Sequence, residues 1–245
     1  MTLDNGFKNE LEISLVLPTF REKNSIRQVV LDFQKFSQIK EIIVVDNNAE
    51  SGTIEQVVDL GVLIINEPIQ GYGSAIKAGI KSSKFEYVCI CEPDGTFNPS
   101  DLNKLVSYSS ESDFVVGTRT NTILVWSGAN MGLFLRWGNW FVAKLTELLF
   151  NTTYLSDVGC TFRLVKKDKA LEIIEYSKSN GSIFGFQMLL EALIHGCKVI
   201  QIPVNYHSRI GESSVTGSKL KAFVLGISMM SYLIKRRVQT LFIIK

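Results

Sequence analysis

The chain has 245 residues, 46% of them hydrophobic and 20% charged, which suits one large folded domain with a sizeable core and excludes an intrinsically disordered class. A net charge of +2 implies no surface for nucleic acid or another polyanion, although a local basic pocket is compatible with it. No signal peptide and no run of roughly 18 apolar residues is expected to cross a membrane, and Cys89, Cys91, Cys160 and Cys197 lack zinc-type spacing, so reduced, packed thiols are expected.

Residues 13–18, an apolar run closed by Pro18, predict a first strand, and the stripe Ile26, Val29, Val30, Phe33, Phe36 predicts a helix over 22–36. A second strand over 41–46 ends in Asp46. The polar loop 47–53 leads to a short helix and to a third strand over 62–66. A helix opens at Gln70-Gly71-Tyr72-Gly73-Ser74. The strand beginning at Tyr87 then delivers Glu92, Pro93 and Asp94 to its carboxyl end. A helix near 100–108 and a strand over 114–117 complete an alternation that predicts an α/β fold, a mostly parallel sheet with helices on both faces. Past residue 120 we expect a loop, a helix over 132–150, a strand over 158–165, a helix through Glu175, a helix over 186–195, a strand over 199–204 and a long helix over 219–237. Without repeat or low-complexity linker, residues 1–218 are expected to form one domain, with 219–245 a C-terminal amphipathic helix.

The acidic turn Glu92-Pro93-Asp94 carries the most chemistry. Two carboxylates one residue apart repel unless a cation lies between them, and hard divalent ions accept one or two carboxylates beside substrate phosphate oxygens. Asp46 suits paired donors on a base or ribose, and equally an Asx turn or helix cap in Asp46-Asn47-Asn48. Gly71-Tyr72-Gly73 before a helix offers backbone N–H groups to a phosphate. Neither a G-x-G-x-x-G fingerprint nor a P-loop is present, which disfavours a dehydrogenase or a P-loop NTPase. Arg119, Arg163 and Arg209 lie in loop contexts, where a guanidinium grips phosphate bidentately or makes an ordinary ion pair.

Taken with Val16-Leu17-Pro18-Thr19-Phe20-Arg21-Glu22, Val44-Val45-Asp46-Asn47, Asp157-Val158-Gly159-Cys160-Thr161-Phe162-Arg163 and Gly211-Glu212-Ser213-Ser214, these motifs resemble the inverting GT-A (Rossmann-like) glycosyltransferases, in the right order across residues 13–220. The branch they are similar to is that of the dolichyl-phosphate mannose or glucose synthases. The resemblance implies a UDP- or GDP-sugar donor and a divalent metal, Mg²⁺ or Mn²⁺, on Asp94 and Glu92. It places Pro18, Thr19, Glu22, Asp46, Asn47, Gly71, Tyr72, Gly73 and Pro93 around the nucleotide, Arg119 and Arg163 toward phosphates, and Arg209 with Ser213 on the diphosphate. Glu92 stands where the family has Asp, Ala49 and Ser51 where it has Ser and Asp, and Ser214 where it often has Lys.

The expected activity is sugar transfer to a polyprenyl phosphate, whose oxygen is already ionised. The alternatives are transfer to a carbohydrate hydroxyl, with Asp157 as base, and a nucleotide-sugar-binding protein without catalysis. The apolar stripes over 132–150 and 219–238, the latter flanked by Lys219, Lys221 and Lys235-Arg236-Arg237, suggest a cytoplasmic protein peripheral at the cytoplasmic face of a membrane. Packing on the core or a homo-oligomer contact accounts for them equally well.

Overall fold

The computed structural model describes residues 11–129, 131–211 and 219–243. Strands β1 (Ile13–Thr19), β2 (Ile39–Asp46), β3 (Leu63–Asn66), β4 (Tyr87–Ile90), β5 (Phe114–Thr118), β6 (Arg163–Lys166) and β7 (Val199–Pro203) form one sheet in the order β3-β2-β1-β4-β6-β5-β7. Neighbours pair in parallel except around β6, which runs antiparallel to both β4 and β5. The helices are α1 (Ile26–Phe33), α2 (Tyr72–Ser82), α3 (Leu102–Val106), α4 (Leu133–Phe150), α5 (Lys167–Tyr176), α6 (Phe184–Ile194) and α7 (Lys219–Ile243).

Side-chain alternation along each strand divides the core between the two faces of the sheet. Leu15 and Leu17 of β1 belong to one apolar cluster with Phe33 of α1 and Leu102 of α3. Val16 belongs to the other, with Ile76 of α2 and Leu189 of α6. Burial on both faces is why these strands read as unbroken apolar runs. The chain moves outward from β1 to β2 and β3, then returns to lay β4 on the other side of β1. That reversal opens a crevice at the carboxyl ends of β1 and β4, where open α/β sheets take their ligands.

Some expected bounds shift. α1 starts at Ile26 rather than near Glu22, because the Glu22 carboxylate turns back to accept from the N–H groups of Phe20 (2.6 Å) and Arg21 (2.8 Å). The strand expected over 158–165 contracts to β6, and in the irregular segment before it the Gly159 N–H goes to the Asp157 side chain and the Cys160 carbonyl to Arg163. The terminal helix is longer than expected, 25 residues, yet among the described residues no helix is long and apolar enough to cross a membrane.

α7 packs on α4 and α6, contributing Met229 and Leu233 to the core. A polar latch fixes it. Glu191, fully buried in the last turn of α6, accepts from Tyr232 Oη (2.6 Å) and from Arg236 Nε and Nη2 (both 2.7 Å).

Candidate active site

A cavity of about 590 Å³ opens at the β1–β4 crevice and continues between α4 and α7. Its polar end is lined by Pro18, Thr19, Glu22, Asn47, Gly71, Tyr72, Glu92, Arg119, Arg163 and Arg209. Its other end is apolar, with Phe134, Phe141, Phe223, Ile227 and Met230 on its walls.

Three carboxylates meet around Arg209, on loops that follow β1 and β4: Glu22 and Glu92 line the polar end, and Asp94, 1% exposed, stands just behind Arg209. Arg209 Nη2 lies 2.9 Å from Asp94 Oδ2, 3.2 Å from Glu92 Oε2 and 3.5 Å from Glu22 Oε1. Asp94 Oδ1 is held separately by Thr96, through the backbone N–H (2.9 Å) and Oγ1 (2.6 Å). Burial, reinforced by the Asp94 charge, pushes the Glu92 carboxyl up to about 7, against the pull of Arg209. Burial likewise raises Glu22, against the two N–H bonds it accepts. Although burial works against its charge, these acids hold the Arg209 guanidinium above its ordinary value. The donor set is all carboxylate oxygen, the chemistry that Mg²⁺ and Mn²⁺ prefer. Among the described residues no three acid, His or Cys side chains close into a metal cage by themselves. An ion held on Asp94 and Glu92 would have to take the rest of its shell from water and substrate phosphates.

The two other predicted arginines differ in kind. Arg119 pairs bidentately with Asp157, Nε to Oδ2 at 2.8 Å and Nη2 to Oδ1 at 3.0 Å. Asp157 also accepts from the N–H groups of Arg119 (3.0 Å) and Gly159 (2.9 Å) and is 0% exposed. Burial alone would raise its pKa, but the Arg119 charge and these bonds hold it below the usual carboxylate range. Asp157 is not among the residues that line the cavity, and its oxygens are taken by Arg119 and Gly159, an arrangement that sets it apart from an open general base. Arg163 is 1% exposed, and among the described residues no acid forms an ion pair with it. Its Nε and Nη1 donate to the carbonyls of Cys160 (2.8 Å) and Gly185 (2.6 Å), and its Nη2 is buried without a partner. Burial lowers its pKa.

The remaining predicted residues divide. Asn47 serves the loop after β3: it donates to the carbonyls of Glu67 and Ile69 (both 2.8 Å) and accepts from the Gly71 N–H (2.7 Å). Asp46 accepts from the Ala49 N–H three residues on (2.9 Å), a cap-type bond, and is not among the residues that line the cavity. Pro93 also lies off it, its carbonyl accepting from Ser25 Oγ. Gly71 and Gly73 are corrected in their role. Their N–H groups are spent on Asn47 and on the Asn180 carbonyl, and any Cβ there would collide with the backbone at Ser179 and Asn180. Gly71 further adopts φ 143°, which suits glycine. Ser213 lies outside the described residues.

The sheet order, the antiparallel β6 and the acidic turn after β4 define the GT-A class of glycosyltransferases. Glucosyl-3-phosphoglycerate synthase from Mycobacterium tuberculosis, solved in complex with Mn²⁺ and UDP-glucose, shares this fold with a TM-score of 0.68 over 92% of this chain and 79% of that one, at 14% identity. The chain belongs to glycosyl transferase family 2, whose family model matches residues 14–173. An uncharacterized glycosyltransferase of Mycobacterium bovis is 24% identical over 223 residues, 88% of this chain and 94% of that protein. The low-salt glycan biosynthesis hexosyltransferase Agl6 of Haloferax volcanii is 25% identical over 209 residues, 83% of this chain and 49% of that one.

Proposed function

We propose that this glycosyltransferase moves a sugar from a nucleoside diphosphate to a polyprenyl phosphate, with a divalent metal on Asp94 and Glu92. The observation that carries this reading is the continuity of the cavity, from the carboxylates and Arg163 into an apolar groove between α4 and α7. A sugar acceptor would need hydroxyl partners along that groove, whereas Phe134, Phe141, Phe223 and Met230 suit an isoprenoid tail. Arg163, buried and without a counter-ion, calls for an anion and suits the acceptor phosphate. The occupied state of Asp157 supports the same acceptor, since a phosphate oxygen is already ionised and needs no base to attack the anomeric carbon. Thr19, Tyr72 and Glu22 would border the nucleotide. The chemistry a metal supplies there is charge neutralisation on the leaving diphosphate. Mn²⁺ and UDP-glucose in the mycobacterial synthase make them the first donor and ion to try.

The test is sugar transfer from UDP- and GDP-sugars to a short polyprenyl phosphate and to free oligosaccharides, with Mn²⁺ or with chelator. Transfer to the lipid phosphate alone is expected, with Asp94→Asn slowing turnover about 10²-fold or more. Arg163→Lys should raise the KM for the acceptor about tenfold, the worth of a charged hydrogen bond, and leave that for the donor unchanged. Transfer to hydroxyl acceptors only, or full activity of Asp94→Asn in chelator, would sink the reading.

A further inference from the structure

We propose that Arg209 is a built-in counter-ion, holding the metal-binding carboxylates while no divalent ion is bound and releasing them when one binds with nucleotide. The proposal rests on the metal reading above. Thr96 already takes Oδ1 of Asp94 with two hydrogen bonds, so Oδ2 is the oxygen left free of that turn, and Arg209, which lines the cavity, lies on it at 2.9 Å. The same guanidinium nitrogen is within 3.2 Å of Glu92 and 3.5 Å of Glu22. A divalent ion on those oxygens would sit at about 2.0–2.1 Å if it were Mg²⁺, in the space this nitrogen fills. Two cations there repel, so one excludes the other.

The backbone that carries Arg209 is tied in place. Ile210 N–H donates to the Asp94 carbonyl (2.9 Å) and His207 N–H to the Thr96 carbonyl (2.8 Å). Exchange therefore falls to the side chain, which stays at the crevice after release. Its planar fork then suits the two phosphates of the donor. Arg209 thus opposes metal binding in the empty protein and favours it once nucleotide is present. Reciprocal linkage makes metal and nucleotide bind as a pair.

The experiment titrates the full chain with Mn²⁺ alone and follows the free ion by electron paramagnetic resonance, then repeats the titration with UDP or GDP. Arg209→Gln is expected to bind Mn²⁺ about tenfold more tightly than wild type without nucleotide, and to gain less affinity than wild type when nucleotide is added. Its melting temperature in chelator should fall and recover with Mn²⁺, because three carboxylates are left without a counter-ion. Arg209→Lys, which keeps a charge but not the fork, should lie between the two and serves if the Gln variant does not fold. Unchanged or weaker Mn²⁺ binding in both Arg209 variants, with Asp94→Asn still abolishing it, overturns the role of Arg209 and leaves the metal reading standing. Mn²⁺ binding that Asp94→Asn does not alter overturns both.

Discussion

A buried guanidinium with a carboxylate beside it and one without respond differently to change. Arg119 and Asp157 satisfy each other so fully that removing either charge strands the other in the interior. Asp157→Asn should therefore cost about 3–5 kcal/mol of stability at neutral pH, read by urea unfolding, with no shift in the pH dependence of turnover. The sign with pH follows from a carboxyl held below its ordinary range when folded. The stabilisation is complete above about pH 4, the unfolded value, and is lost as pH falls through the lower folded one. The gap between wild type and Asp157→Asn should hold steady from about pH 7 to 5 and close below about pH 4. An unchanged urea midpoint would show that the pair adds nothing. Among the described residues Arg163 bonds to carbonyls and lies over the Phe114 ring, with no acid paired to it. The sequence made both arginines visible as phosphate candidates but could not rank them, since what pairs with each is set by the fold: Asp157 is 38 residues from Arg119, and Gly185 is 22 from Arg163. Asp94 and Glu92 were legible because carboxylates terminate an apolar strand. Glu22 joins them only through the β1–β4 pairing.

At the scale of elements, the alternation of strands and helices was readable as far as β5 because β1, β4 and β5 are apolar runs buried along their whole length and β2 becomes one from Ile42 on, while the half-exposed β3 at the sheet edge is still apolar from Leu63 to Ile65. β6 was harder, a four-residue strand with a cation at each end, and its antiparallel direction is a property of the chain's return path. The latch between α6 and α7 left one trace in the sequence, an acid in the apolar stretch Met188-Leu189-Leu190-Glu191-Ala192-Leu193. An acid placed there must be paired when buried, but its partners Tyr232 and Arg236 lie over 40 residues away. Since α7 forms one wall of the groove, the latch sets the shape of the apolar end of the cavity. Glu191→Gln leaves Arg236 without its carboxylate and should cost about 3 kcal/mol or more. The loss should be local, with amide exchange rising across α7 while β1 and β4 stay protected. Equal acceleration in all three would make the latch part of the global core instead.

At the scale of the molecule, α4 and α7 together leave an apolar face uncovered. Leu133, Trp137, Trp140, Phe141 and Leu148 of α4 are exposed, as are Leu220, Phe223, Val224, Ile227, Ile234, Val238 and Leu241 of α7. α7 also buries Met229 and Leu233, so it is apolar on both sides, a pattern that fits water poorly. Tryptophans and basic residues, Lys235 and Arg237 among them, stand on the same two helices, the combination that settles at a bilayer interface. Such a seat would bring the mouth of the groove to the lipid in which a polyprenyl phosphate is held, and each basic side chain near an anionic surface is worth about 1 kcal/mol. The full chain should float with vesicles containing anionic phospholipid, less with neutral ones, and release as salt is raised. Combined Trp137→Ser and Trp140→Ser should weaken flotation while leaving the melting temperature near wild type, because both rings are exposed. A chain that stays in solution with every vesicle, and sediments as a dimer that the same substitutions dissolve, would assign the face to a second copy rather than to lipid.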